Sequence, residues 1–273
     1  MLLPMLLGLR VAALALGAAL PCEAGESGLR GTTVEYADAG SAGHPELAWF
    51  ARAYVAPEAK AHRPVPLLIF LHGVNRDLVK YPWMGGGATP DLRPLIGRMI
   101  RDGQIEPLVI AAPSSIAPDE VQYTSWAHFD VDRFVERTIA ALGDDATIDP
   151  SRIVLAGHSG AGCHSAGGIA SANSSARRLF AVLSIDTCLY FWHATELAKL
   201  PGETRVVVTY QTRSWRERPF EDFAAVFRRA AAEAANGGSR VIEELYPPPE
   251  DAHVATVAMS LERWLPRLLT PSN

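Results

Sequence analysis

The pattern that most constrains the fold begins at residue 31, where short apolar runs start to alternate with amphipathic stretches and continue to do so along the 273-residue chain. Pro66-Leu-Leu-Ile-Phe-Leu71 has no polar face, as expected of a central strand covered on both sides by helices. Leu108-Val-Ile-Ala-Ala112, Arg152-Ile-Val-Leu-Ala156, Leu179–Ile185, Arg205–Tyr210 and Arg240–Leu245 read the same way. Gly31–Tyr36 and Leu47–Val55 alternate instead and predict an antiparallel opening pair. Helical spacing falls between these runs, with Leu92, Leu95, Ile96, Met99 and Ile100 on one face of 91–102, and Val131, Phe134, Val135, Ile139 and Leu142 on one face of 129–142. Further helices are predicted over 160–172, 220–235 and 254–269. The expected class is α/β: a mostly parallel eight-stranded sheet with helices on both faces. The link from Asp186 to Arg205 leaves no room for a large cap domain.

A chain of this length buries enough surface to fold without a metal or a disulfide framework. Its net charge is −5 and Lys and Arg are scattered, which argues against nucleic acid or an anionic membrane surface as partner. Arg10 is followed by the apolar run Val11–Leu20, the helix breaker Pro21, and small residues at Cys22 and Ala24. That pattern predicts a signal peptide over 1–24, cleaved after Ala24, and a secreted or periplasmic catalytic domain over 25–273 with no stable membrane association. The apolar stretch ahead of Arg10 makes a membrane anchor the competing reading, although Arg10 interrupts the span. Cleavage leaves two cysteines, Cys163 and Cys188, in a compartment that permits disulfides.

The chemistry concentrates in Arg152-Ile-Val-Leu-Ala-Gly-His-Ser159-Gly-Ala-Gly162. A buried strand runs into a small-residue turn, a serine and a small-residue segment. A serine held in a tight strand-to-helix turn needs neighbours without bulk two positions away, and Gly157 and Ala161 meet that need. The segment resembles the nucleophile elbow, G-x-S-x-G, of the α/β-hydrolase family, with Ala161 where the family has glycine. The resemblance extends in element order over the whole of 25–273.

It implies a serine hydrolase working through an acyl-enzyme, with Ser159 as nucleophile at the start of a helix whose dipole favours negative charge. Phe70-Leu-His72-Gly73-Val74 ends a central strand as the family's His-Gly does, which implies Val74 and Gly160 as the backbone donors of an oxyanion hole and a structural His72. The family's order of serine, acid and histidine places the base after the last strand. His253, in Tyr246-Pro-Pro-Pro-Glu-Asp-Ala-His253, occupies that slot and is the only histidine after residue 193. The usual slot for the acid, Gln211-Thr-Arg-Ser-Trp215, holds no carboxylate. Asp186 and Glu217 compete for the role. An ionised aspartate at the end of a buried strand needs a compensating partner, which favours Asp186. Asp251 is too near His253 in sequence to reach the correct ring nitrogen. The strands before Cys163 and Cys188 are neighbours in this fold, so a disulfide between them would tie the nucleophile segment to the acid loop.

Trp83, Tyr123, Trp126, Tyr190, Phe191, Trp192 and Trp215 are expected in loops at the carboxyl edge of the sheet, either lining an acyl pocket or packing the loops. The remaining histidines lack ligand spacing, and neither a phosphate loop nor a dinucleotide fingerprint occurs, so neither a metal nor a cofactor is expected. Ile148-Asp-Pro-Ser-Arg-Ile-Val154 also resembles feruloyl-esterase-like and polyester-depolymerase-like members. The implied activity is a carboxylesterase acting on a small-molecule or polymer-borne ester. The alternatives are a peptidase or amidase of the same fold, and a non-catalytic binding protein on the hydrolase scaffold. Nothing in the sequence bears on oligomeric state.

Overall fold

The computed structural model describes residues 29–38, 49–60, 63–77, 79–87, 90–115, 126–214, 220–234 and 239–271. The expected signal peptide, Tyr123, Trp215 and Glu217 lie outside them.

Eight strands form one sheet: β1 (Thr32–Asp38), β2 (Trp49–Val55), β3 (Val65–Leu71), β4 (Val109–Ser114), β5 (Ile148–His158), β6 (Ala181–Ile185), β7 (Arg205–Tyr210) and β8 (Arg240–Glu244). Their spatial order is β1-β2-β4-β3-β5-β6-β7-β8. The β1–β2 and β2–β4 pairings are antiparallel, and every other pairing is parallel. Both β3 and β4 are buried along their whole length, which explains their unbroken apolar runs. The helices are α1 (Leu92–Arg101), α2 (Val131–Leu142), α3 (Phe191–Ala198), α4 (Phe220–Glu233) and α5 (Ala252–Leu268). Asp91 and Asp130 cap the first two by accepting from backbone N–H groups of their first turns. No helix among the described residues is long and apolar enough to cross a membrane.

Register matters most for function. Leu71 of β3 pairs with Gly157 of β5, His158 with Ile185 of β6, and Ile185 with Thr209 of β7. The parallel strands therefore end together, and residues 72–74, 159–160, 186 and 211 all leave the sheet at one carboxyl edge. A parallel sheet makes its sites there because the chain is freed from ladder bonding at that edge.

Three elements differ from the sequence reading. The helix expected over 160–172 is replaced by two short 3₁₀ turns, Ser159–Gly162 and Gly168–Asn173. Gly160, Gly162, Gly167 and Gly168 each disfavour an α-helix by about 1 kcal/mol relative to alanine, and Gly168 adopts φ +59°. A side chain at Gly167 would overlap the Trp126 carbonyl, so close approach explains that glycine. Helix α3 was not anticipated, because its eight residues are too few to display a helical period. Finally, α5 begins at Ala252, so His253 sits in a helix's first turn rather than in the loop before it.

Candidate active site

Ser159 follows the end of β5 with φ +54°, a left-handed conformation that costs a non-glycine residue roughly 1–2 kcal/mol. Its surroundings over-determine that geometry. A Cβ on Gly73 would lie 2.7 Å from Ser159 Cβ and 3.1 Å from its Oγ, so the segment after β3 runs directly against the serine. A Cβ on Gly160 would lie 3.0 Å from the Val74 nitrogen. The structure thus brings Val74 and Gly160 together beside Ser159. Gly73→Ala is expected to lower turnover at least 100-fold, because the added methyl displaces the serine, while stability falls by about 1–3 kcal/mol. Steady-state kinetics alongside thermal melting separates the two effects.

His72 anchors this segment from below. Its Nδ1–H donates to the Gly73 carbonyl at 2.6 Å, its Nε2 accepts from Ser115 N–H at 2.9 Å, and Trp126 Nε1–H donates to the His72 carbonyl at 3.0 Å. Both ring nitrogens are therefore committed to backbone partners.

Asp186 directly follows β6, is completely buried and has φ +44°. Its N–H donates to the Thr209 carbonyl at 2.7 Å, which fixes it to the end of β7. Its Oδ2 accepts from His253 Nδ1–H at 2.5 Å and from Gln211 Nε2–H at 2.8 Å. Burial raises the pKa of this carboxyl, but the hydrogen bonds from His253 and Gln211 outweigh it and hold Asp186 below the ordinary carboxylate value. Gln211 is oriented in turn, since its Oε1 accepts from Arg213 N–H at 2.7 Å and Ser214 N–H at 2.9 Å. Asp251 stands exposed at the start of α5 and makes no side-chain capping bond.

Two residues with clear parts in this arrangement escaped the sequence reading. Gln211 fills the slot where a carboxylate was sought, and its amide supports the carboxylate one strand over. His158 precedes the serine, and its ring lies 4.2 Å from that of His253, centroid to centroid. The signal for Gln211 was a polar residue directly after the strand Arg205–Tyr210.

Cys163 and Cys188 are bonded, with Cα atoms 5.1 Å apart, and they join the turn after Ser159 to the loop after Asp186. The closed loop spans a sequence separation of 25, for which cross-linking the unfolded chain stabilises the fold by about 3 kcal/mol. Cys163→Ser/Cys188→Ser is expected to lower the thermal midpoint by roughly 6–12 °C, read by calorimetry.

Trp83 and Trp126 are buried, Trp83 between the rings of Phe70 and His158 and Trp126 between those of His72 and Phe129. Among the described residues, five large apolar side chains are exposed, and four of them (Val74, Tyr190, Phe191 and Tyr246) stand on segments at the carboxyl edge that carry the site. Trp192 stacks on Tyr190 at 5.7 Å. No group of three or more His, Cys, Asp or Glu side chains among the described residues is placed to hold a metal ion.

No family model matches this sequence, and no curated protein matches it significantly. Solved structures do match its fold. A ferulic acid esterase is 12% identical with a TM-score of 0.58, the match covering 88% of this chain and 98% of the other. An S-formylglutathione hydrolase from Agrobacterium tumefaciens is 15% identical with a TM-score of 0.60, covering 88% and 96%. The enterobactin esterase from Shigella flexneri is 13% identical with a TM-score of 0.59, covering 84% of this chain but only 58% of its own. The chain has the α/β-hydrolase fold.

Proposed function

We propose that this protein is a serine esterase. Ser159 Oγ attacks the ester carbonyl while His253 Nε2 takes its proton. The Nδ1–H bond to ionised Asp186 leaves Nε2 as the basic nitrogen and stabilises the imidazolium that forms. The N–H groups of Val74 and Gly160 hold the oxyanion. His253 then protonates the departing alcohol, and water repeats the sequence in reverse to release the acid. Only a four-residue 3₁₀ turn follows Ser159, so the oxyanion depends on those two donors and not on a helix macrodipole.

The observation that carries this reading is the fully buried Asp186 carboxylate hydrogen-bonded to His253 Nδ1, at the same sheet edge as a serine with positive φ. The exposed apolar side chains at that edge favour esters with an apolar acyl or aryl group, whether free or borne on a polymer. Ester hydrolysis is also the activity for which the ferulic acid esterase and the enterobactin esterase are named. The expected leader would direct the enzyme out of the cytoplasm.

The test is labelling by a fluorophosphonate probe at neutral and mildly alkaline pH, with the adduct mapped by mass spectrometry. An adduct on Ser159 supports the activated serine, and a folded protein that takes no label turns the reading to a binding scaffold. Parallel turnover of a p-nitrophenyl ester and the matching anilide separates esterase from amidase. Asp186→Asn is expected to lower kcat about 10⁴-fold with the fold intact, because the neutral amide no longer holds the productive tautomer or balances the imidazolium.

A further inference from the structure

His158 is the last residue of β5 and the immediate neighbour of Ser159, and it is 4% exposed. Its Nε2 lies 3.0 Å from the backbone carbonyl of His253. A carbonyl oxygen only accepts, so this nitrogen carries the proton and the neutral ring has its lone pair on Nδ1. The two imidazoles pack with their planes 38° apart. Trp83 closes against His158 at 5.7 Å and 74°, and is itself packed on Phe70 at 5.5 Å. A line of contact thus runs from the core through Trp83 and His158 to His253, and ends at Asp186.

We infer that His158 is a positioning residue for the base: by donating Nε2–H to the His253 carbonyl it fixes the first turn of α5, and with it the imidazole, relative to Ser159. The inference rests on the reading of Ser159 and His253 as nucleophile and base. The strand that presents the nucleophile also fixes the base, through the side chain next door in sequence. Packing alone would accept any flat ring at position 158. The hydrogen bond to the carbonyl of His253 is what a plain aromatic residue cannot supply. The ring must also remain uncharged, because a second cation 4.2 Å from the imidazolium formed during attack would oppose it. Burial first, and His253 second, push the His158 pKa down to about 3, so it stays neutral at neutral and mildly alkaline pH.

The experiment compares His158→Phe, which keeps a ring and loses the donor, with His158→Gln, which keeps a donor near the Nε2 position and loses the ring. In His158→Phe, kcat is expected to fall about 10- to 100-fold with KM little changed, the loss that follows from misplacing a catalytic group by about an ångström. The far-downfield proton resonance of His253 Nδ1–H on Asp186 broadens or disappears at the same time. His158→Gln restores most of kcat and retains the resonance. Should His158→Phe not fold, His158→Met carries the same comparison. Equal losses in the donor-keeping and donor-lacking variants, or no loss in either, overturn the inference. A wild-type protein that takes no fluorophosphonate label sinks the esterase reading instead, and the resonance comparison still decides whether His158 positions His253.

Discussion

Ser159→Ala and His253→Ala are each expected to lower kcat by about 10⁵- to 10⁶-fold, and the double variant to fall no further than the worse single one. The two side chains act as one device. Without the base the hydroxyl is a poor nucleophile, and without the hydroxyl the base has no proton to take. The backbone donors at Val74 and Gly160 survive both substitutions, so a residual acceleration of roughly 10³–10⁴ over the uncatalysed reaction should remain. Steady-state turnover of an activated aryl ester, with the buffer reaction as the background, measures all three variants. Additive losses would mean that the residues do not work together, and the assignment of His253 as base would fall.

Stability offers a second reading of the same serine. Ser159 keeps φ +54° because its neighbours force it, and a glycine there carries no Cβ penalty. Ser159→Gly should therefore be inactive yet more stable than wild type, by about 1 kcal/mol once the greater entropy of the unfolded glycine is subtracted. Chemical denaturation reads the difference. A gain of that kind marks strain retained for function.

The strands were legible in the sequence for a physical reason. A parallel strand covered on both faces leaves a run such as Leu67–Leu71 with no polar interruption, and no other common element of that length does so. The elbow was legible because Gly157 and Ala161 flank a serine directly after such a run. Asp186 could be preferred on desolvation alone, since a carboxylate at a buried strand end demands partners, and the structure supplies them in His253 and Gln211. What could not be read was register. The pairing of Leu71 with Gly157 brings Gly73 against Ser159, and nothing local in either segment specifies it. Gln211 and His158 are illegible for the same reason, because each acquires its role only from a neighbour far away in sequence. The segment 160–172 misled because small residues permit a helix without requiring one, and its glycines are placed for close contacts that only the folded chain reveals.

Those buried histidines lead to the other large effect, which is on stability in acid. Burial pushes His72 and His193 down to about 4, and burial together with His253 pushes His158 down to about 3. An unfolded histidine titrates near 6.5. Between those values the unfolded chain binds protons that the folded chain refuses, so stability rises with pH across the window and is lost as pH falls from about 6.5 toward 4. Each histidine contributes up to about 1.4 kcal/mol per pH unit, and the three together up to about 4 kcal/mol per unit. Over the window from about 6.5 to about 4 the loss reaches at most about 10 kcal/mol, comparable with the roughly 5–15 kcal/mol stability of an ordinary domain. Asp186 adds to the loss at the lower end, since its carboxyl is held below the ordinary value and must be protonated as the fold gives way. The protein should therefore unfold cooperatively between about pH 6 and pH 4, with near-neutral optimum stability, as followed by circular dichroism and by denaturant melts at a series of pH values. His193 isolates the cause: it is buried, neither ring nitrogen has a hydrogen-bond partner among the described residues, and it takes no part in the proposed chemistry. His193→Leu removes one of the three proton sinks, so the slope of stability against pH should drop by about a third across the window and the acid midpoint should move lower. An unchanged slope in that variant would show that its ionisation does not drive acid unfolding, and would leave packing around α3 as the only role for the side chain.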